Sequence, residues 1–280
     1  AYELKDVIGP DENHDHVDNN AFTNVMAGWN LRAGLEVLAW LEAKDPQAAR
    51  DLRAALGIDD VETRRWRDTS QKLTIFRQPS GLIEQFEGYF GLRDVDMAQL
   101  EPRNTSVQAL LGIEGAARTQ VIKQPDVLML MALLPDEFDD QALRTNYDYY
   151  TPRTDLAFGS SLGPAIQAIL ACRLDRPAEA YADFMRAALA DLEDLRGNAV
   201  DGIHGASAGA CWQVLAFGFG GVTFHGDRWE MRPHLPEGWK RLAFSFSFRG
   251  QRYGVEARAD NPQPAVRVLG PVTALGWKER

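Results

Sequence analysis

The stretch AFTNVMAGWNLRAGLEVLAWL, residues 21–41, decides the fold class of this chain. Its apolar residues recur at spacings of three and four, which predicts one apolar stripe on a helix of about six turns. The sequence Lys44-Asp45-Pro46 marks the end of that helix. Because the same period returns in most segments up to about residue 220, the chain is predicted to be mainly α-helical.

Further helices are predicted between breaks made of glycine, proline and acidic residues. They cover residues 47–56, 61–76, 95–100, 118–134, 140–150, 162–174, 177–195 and 208–219. Between residues 78 and 91, Pro79, Gly81 and Gly88 interrupt the helical pattern and indicate a long loop. Long loops in compact domains are usually functional.

The period changes after Gly220-Gly221. Leu242, Phe244, Phe246 and Phe248 alternate with small or polar residues, a period of two that is typical of a half-buried strand. A turn at residues 249–251 leads into a second alternating run, residues 253–257, which predicts an antiparallel hairpin. Shorter strands are predicted at 222–224 and 266–268. The chain is therefore divided into a helical domain, residues 1–220, and a small C-terminal β domain, residues 221–280.

Composition narrows the possible functions. The chain has 280 residues, 45% of them hydrophobic, which is enough to form a substantial core. Its 40 acidic and 30 basic residues give a net charge of −10. There is neither a basic cluster for nucleic acid nor an apolar run that could span a bilayer. Cys172 and Cys211 lie in apolar helical contexts and predict two buried thiols in the cytoplasm. Since no signal peptide and no initiator methionine are present, we expect a piece of a longer protein.

The most polar segment is GPDENHDHVDNN, residues 9–20, directly before the first helix. Gly9-Pro10 would stop a preceding element and Asn19-Asn20 could cap the helix, so the acids and histidines are expected on a loop held by a helix N-terminus. Catalytic carboxylates are often carried by such loops. Neighbouring carboxylates and partial burial would raise the pKa of Glu12 toward the range of a general acid. A solvated acidic turn is the alternative interpretation.

Three further groups contain residues suited to binding sugars or anions. Lys123-Gln124 is expected to begin an apolar helix, where a lysine with its stem along apolar surface and a capping amide would be a purely structural alternative. Ser160-Ser161 precedes one helix and His204, with Ser207, precedes another. Backbone N–H groups and hydroxyls at a helix N-terminus bind anions, although the same residues also serve as ordinary caps.

At these positions the chain resembles glycoside hydrolase family 65, the inverting α-glucoside phosphorylases that act on disaccharides. The matching blocks follow the family's order along the chain: residues 9–12, 18–24, 84–90, 123–124, 160–162, 202–204 with Ser207, 212–213, 217–221, 233–236 and Trp239. The resemblance implies the later half of an (α/α)6 barrel followed by the family's small C-terminal antiparallel β domain.

The resemblance also implies roles for individual residues. Glu12 corresponds to the general acid that protonates the glycosidic oxygen, Lys123 and Gln124 to the pair that holds the glucosyl unit, and Ser160, Ser161, His204 and Ser207 to the phosphate loops. No cofactor or metal is implied, because inorganic phosphate is the co-substrate and, being anionic, needs only positioned donors to attack. The expected partners are the disaccharide, phosphate, the remaining N-terminal part of the enzyme and, as one arrangement, a second copy in a homodimer. The fragment alone is expected to be inactive.

Two alternatives stay open. The chain could resemble the hydrolases of the same family, which use water and a carboxylate base, and Glu84, Glu87 and Asp155 are candidates for that base. It could instead be a non-catalytic carbohydrate-binding remnant, which would bind sugar without converting it.

Overall fold

The computed structural model describes residues 1–272, and they form two compact units that divide between Gly159 and Ser160. Unit 1, Ala1–Gly159, is helical with short extended connections. Its helices are α1 (Ala21–Lys44), α2 (Pro46–Leu56), α3 (Asp60–Lys72), α4 (Val107–Leu111), α5 (Ile113–Ala117), α6 (Asp126–Leu133) and α7 (Asp140–Tyr150). The predicted loop at residues 78–91 ends in a 3-10 turn, Tyr89–Gly91.

Helix α1 has the predicted length but not the predicted apolar face. The side chain of Asn20 caps it by accepting a hydrogen bond from the Thr23 amide at 2.9 Å. Its close contact with α3 is made through small residues, since a Cβ atom on Gly28 would lie 3.4 Å from the Ser70 carbonyl oxygen. Larger apolar residues of the predicted stripe lie outside that contact, and Trp40 is 57% exposed.

Three predicted helices in unit 1 differ from the structure, and the one predicted over residues 95–100 is only a 3-10 helix, Met97–Leu100. The helix predicted over residues 118–134 begins only at Asp126, because Pro125 favours an extended conformation for the residue before it. Residues before Pro125 form isolated bridges instead, with Ile122 paired to Thr154. The helix predicted over residues 61–76 ends at Lys72.

Unit 2 begins with helices and ends with strands, and the predicted change from helices to strands near residue 220 lies inside this unit. Helices α8 (Leu162–Arg173), α9 (Pro177–Ala188) and α10 (Gly205–Gln213) are followed by a π-helical segment, Val214–Phe219. Helix α8 is buried along most of its length and packs against α9 and α10. Helix α9 ends seven residues before the predicted residue 195, and Leu192, beyond its end, is 82% exposed.

The strands of unit 2 form two antiparallel sheets. Strands β1 (Val222–His225) and β2 (Arg228–Met231) make one hairpin, and β3 (Arg241–Phe248), β4 (Gln251–Arg258) and β5 (Asn261–Pro271) make a three-stranded meander. The predicted hairpin is confirmed: Phe246 pairs with Tyr253. The turn places Arg249 and Gly250 at positive φ, as a two-residue type I′ turn requires.

The fold class, mainly α with a small antiparallel β region at the C-terminus, is therefore confirmed. Residues 273–280 of the predicted β domain lie outside the described residues. Within residues 1–272, none of the helices combines the length and the apolar character needed to cross a membrane.

Candidate active site

The Glu12 loop is tied to the N-terminus of α6. Asp126, in the first turn of α6, accepts a hydrogen bond from the Asp11 amide at 2.7 Å through Oδ1 and one from Asn20 Nδ2 at 2.8 Å through Oδ2. Gly9 lies so close that a Cβ atom there would be 2.2 Å from Asp126 Oδ2. Only glycine fits at this position without displacing the carboxylate.

Glu12 projects from this loop and is about half exposed. Its Oε2 atom lies 2.7 Å from Lys123 Nζ and accepts a hydrogen bond from Gln124 Nε2 at 2.6 Å. The side-chain oxygen Oε1 of Gln124 also accepts the Glu12 backbone N–H at 3.2 Å. The three residues predicted to act on the glycoside are therefore brought into direct contact.

These contacts overturn the expectation that the pKa of Glu12 is raised. The hydrogen bond from Lys123, followed by that from Gln124, holds the pKa of the Glu12 carboxyl below its ordinary value, and partial burial opposes them. Sequence reasoning considered the acids beside Glu12 in the chain and missed the lysine 111 residues away that contacts it.

The loop is not a solvated acidic turn. Asp11, Asn13 and His14 are almost completely buried, whereas Glu12, Asp15 and His16 are exposed. Burial, and then the nearby charge of Asp11, raise the pKa of Asp126 well above its ordinary value. Asp126 was missed because an acid in the first turn of a helix is usually only a favourable partner of the helix dipole.

In unit 2, His204 directly precedes α10 and is fixed by a carboxylate. Its Nδ1 atom lies 2.5 Å from Asp191 Oδ1, and its backbone N–H donates to Asp191 Oδ2 at 2.7 Å. These hydrogen bonds lower the pKa of Asp191, the side-chain bond contributing more than the backbone bond. No sequence pattern marked Asp191, which lies 13 residues before His204 on a segment predicted to be helical.

The three serines of the predicted phosphate loops have different surroundings. The Ser207 hydroxyl is buried and lies 3.1 Å from the Ser161 carbonyl oxygen and 3.2 Å from that of Ala187, so it donates to a backbone carbonyl. The Ser160 hydroxyl accepts the Leu162 N–H at 3.3 Å, and Ser161 precedes the first residue of α8 without capping it through its side chain. Ser207 thus joins the start of α10 to the start of α8 within unit 2.

The predicted site residues consequently form two groups, one in each unit. Glu12, Lys123 and Gln124 make the group in unit 1, and His204 and Ser207 lie with the α8 serines in unit 2. The convergence of the two groups on one substrate stays a prediction.

The three carboxylates considered as a hydrolytic base each accept hydrogen bonds from the protein. Asp155 is buried and pairs with Arg103 at 2.7 Å. Burial by itself would raise the pKa of Asp155, but hydrogen bonds from Arg103, Val107 and Phe158 outweigh it and lower the pKa. Glu84 accepts the Phe90 N–H at 3.1 Å, and Glu87 accepts a hydrogen bond from Asn19 Nδ2 at 2.8 Å.

Comparison with known protein families identifies the family of this chain. The central catalytic domain of glycosyl hydrolase family 65 matches residues 1–213, and the C-terminal domain of that family matches residues 222–263. The chain belongs to glycosyl hydrolase family 65. The resemblance predicted from the sequence motifs is confirmed.

Curated relatives in this family are phosphorylases of different disaccharides and glucosides. A kojibiose phosphorylase from Caldanaerobacter subterraneus subsp. tengcongensis is 40% identical over 89% of this chain and 32% of its own length. A 1,2-alpha-glucosylglycerol phosphorylase from Bacillus selenitireducens is 38% identical over 91% of this chain and 34% of its own length. An alpha,alpha-trehalose phosphorylase from Thermoanaerobacter brockii is 32% identical over 91% of this chain and 33% of its own length.

A solved structure has the same fold. "Putative kojibiose phosphorylase from human microbiome" superposes on 95% of this chain with a TM-score of 0.84 and 30% identity, and the match covers 36% of that protein. The chain therefore spans about one third of the length of the relatives it matches.

Proposed function

We propose that this chain is the part of a family 65 phosphorylase that carries the general acid, and that it works with a preceding N-terminal part in the cytoplasm. The enzyme would cleave an α-glucosidic bond with inorganic phosphate. The glycosidic oxygen leaves with a proton from Glu12 while a phosphate oxygen bonds to the anomeric carbon on the opposite face. The products are β-glucose 1-phosphate and the free acceptor.

The contact of Glu12 with Lys123 and Gln124 is the observation that carries this proposal. A general acid must lie at the glycosidic oxygen, and donors that hold the glucosyl hydroxyl groups must lie beside it. An ammonium group and an amide next to one half-exposed carboxyl meet both requirements. All three are side chains of the family's matching motifs.

Substrate binding would also restore the proton that the acid needs. In the free chain Lys123 lowers the pKa of Glu12. A sugar bound between the two side chains would turn the ammonium group toward its hydroxyls and exclude water. Loss of that charge contact and burial both raise the pKa of the Glu12 carboxyl.

The unit 2 group supports phosphate as the nucleophile. His204 lies at the start of α10, where backbone N–H groups point outward, and the Asp191 contact to Nδ1 leaves Nε2 for a ligand. Ser207 is proposed to act by fixing the relative position of α8 and α10, because its hydroxyl is already engaged with backbone carbonyls.

The hydrolase alternative is disfavoured by the carboxylates available. An inverting hydrolase needs a base that can accept a proton from water. Asp155 is buried in its ion pair with Arg103, so it is poorly suited to that task. Glu84 and Glu87 each retain a free oxygen position and keep this alternative testable.

The product distinguishes the candidates. The complete enzyme is incubated with 1,2-, 1,3- and 1,1-linked α-glucose disaccharides, with and without phosphate, and the anomeric protons are followed by NMR. We expect β-glucose 1-phosphate to appear only when phosphate is present. Release of free glucose at the same rate without phosphate would establish hydrolysis, and saturable sugar binding without any product would establish a carbohydrate-binding remnant.

A further inference from the structure

His14 lies two residues after Glu12, and both nitrogens of its imidazole face acceptors. Nε2 is 2.8 Å from the Thr119 carbonyl oxygen, and Nδ1 is 2.6 Å from Asp11 Oδ2. A carbonyl oxygen can only accept, so Nε2 carries a proton. Nδ1 shares the second hydrogen bond with the Asp11 carboxyl group.

Both oxygens of Asp11 accept hydrogen bonds from the protein. Its Oδ1 atom accepts the Lys123 N–H at 2.8 Å and the Asn13 N–H at 3.2 Å. Its Oδ2 atom accepts a hydrogen bond from Gln85 Nε2 at 2.9 Å in addition to the His14 contact. His14 therefore joins a buried carboxyl group with several partners to the Thr119 carbonyl.

The turn that carries Glu12 is bonded to alternate residues of the segment that carries Lys123. His14 Nε2 donates to the Thr119 carbonyl, Asn13 Nδ2 donates to the Val121 carbonyl at 3.0 Å, and Asp11 accepts from the Lys123 amide. Every second backbone position from 119 to 123 is thus held by a buried side chain of the turn. These bonds determine where Glu12 and Lys123 leave the backbone.

The His14 ring is buried and packs against aromatic side chains of the core. It is 3% exposed, and its centroid lies 5.1 Å from that of Phe86 and 6.0 Å from that of Tyr89. A polar ring in such surroundings needs its hydrogen-bond partners. Replacement of the ring would leave the Asp11 carboxyl and the Thr119 carbonyl without this buried partner.

We propose that His14 is a positioning residue for Glu12. As a buried ring hydrogen-bonded to both Asp11 and Thr119, it fixes the Glu12 turn against the Lys123 segment and so aligns the acid with the leaving oxygen. This inference rests on the proposed function, because alignment matters only if Glu12 donates a proton.

The test compares His14→Gln with His16→Gln in the complete enzyme. His16 lies on the same loop and also contacts an aspartate, Asp6, but it is exposed, so it controls for loss of a histidine. Each variant is assayed with a disaccharide and with α-glucosyl fluoride, both in the presence of phosphate. Fluoride departs with little need for a proton, so it bypasses the general acid.

We expect His14→Gln to lower kcat for the disaccharide by about 10²-fold, the scale of a misplaced catalytic group, and to leave kcat for the fluoride nearly unchanged. His16→Gln should match the wild type with both substrates. Equal losses on both substrates would mean that His14 is only structural and would overturn the inference.

A spectroscopic measurement on the unmutated protein covers the case in which His14→Gln does not fold. Nitrogen NMR should give a proton-bearing, slowly exchanging signal for Nε2 of His14, because its hydrogen bond to the Thr119 carbonyl is buried. An unprotonated or rapidly exchanging Nε2 would contradict the inference. If the wild-type enzyme forms no product that depends on phosphate, the proposed function fails first and the positioning role fails with it.

Discussion

The surroundings of Glu12 and of His204 differ in how each side chain is held. Around Glu12, buried side chains of the turn make three hydrogen bonds to the Lys123 segment, and Asp126 makes a further hydrogen bond to the turn. His204 depends on a single aspartate, Asp191, and the neighbouring Ile203 is 82% exposed. The contrast indicates that the acid is preorganised by the protein, whereas the imidazole has more freedom to adjust to a ligand.

The cores of the two units also differ, because unit 1 buries more polar side chains than unit 2. Within residues 1–272, buried polar and charged residues are concentrated in unit 1, and the buried face of α8 in unit 2 is mostly aliphatic. An exception in unit 2 is Asp183 on α9, a buried carboxyl that pairs with the half-exposed Arg186. A buried charge with few partners destabilises the folded state. The effect of Asp183 on stability therefore tests this comparison of the two cores.

The largest effect is expected for Glu12→Gln in the complete enzyme. Glutamine keeps the shape of the side chain but has no transferable proton, so disaccharide phosphorolysis and the reverse synthesis should both fall by about 10²–10⁴-fold. Asp15→Asn, the same change of carboxyl to amide at an exposed position of the same loop, should have no effect. The measurement is the steady-state rate of phosphorolysis and of the reverse synthesis. Near-normal rates in Glu12→Gln would show that Glu12 is not the general acid.

Asp183 is expected to make unit 2 less stable as the pH rises. Burial raises the pKa of its carboxyl to about 6 from an ordinary 3.8, against the opposing charge of Arg186. Between about pH 4 and pH 6 the folded chain therefore keeps a proton that the unfolded chain releases, and the free energy of unfolding decreases through that window. A shift of about two pKa units corresponds to roughly 3 kcal/mol.

Asp183→Asn should remove this part of the pH dependence. Urea unfolding at pH 4 and at pH 7 should show a smaller loss of stability for Asp183→Asn than for the wild type. Asp227→Asn, in an exposed turn of unit 2, is the control and should keep the wild-type difference. An unchanged pH dependence in Asp183→Asn would show that burial of this carboxyl has little effect on the free energy of unfolding.

The helices and the β3–β4 hairpin were predictable because their signals are local. The caps, the proline at the start of α2 and the Arg249-Gly250 turn depend on neighbouring residues. Family motifs also predicted Glu12, Lys123 and His204 as site residues, and their roles stay predictions. The pKa of Glu12, the role of Asp191 and the burial of His14 were not predictable, because each depends on a residue distant in the sequence that folding brings into contact.

The false helix start at residue 118 has the same origin. The run from Val121 onward is apolar enough for a helix, but Ile122 pairs with Thr154 and the Lys123 amide bonds to Asp11. These tertiary bonds replace the helical ones. The proposed sugar-binding pair Lys123-Gln124 therefore lies where a local pattern and the folded structure disagree.

The division of labour between Glu12 and His204 is the central claim, and the phosphate dependence of His204→Ala tests it most directly. Loss of one charge-assisted bond to a bound anion, worth about 1.5–3 kcal/mol, should raise the KM for phosphate by roughly 10- to 150-fold. The rate at saturating phosphate should fall much less than in Glu12→Gln. An unchanged KM for phosphate, or a loss of rate that no phosphate concentration relieves, would contradict the account.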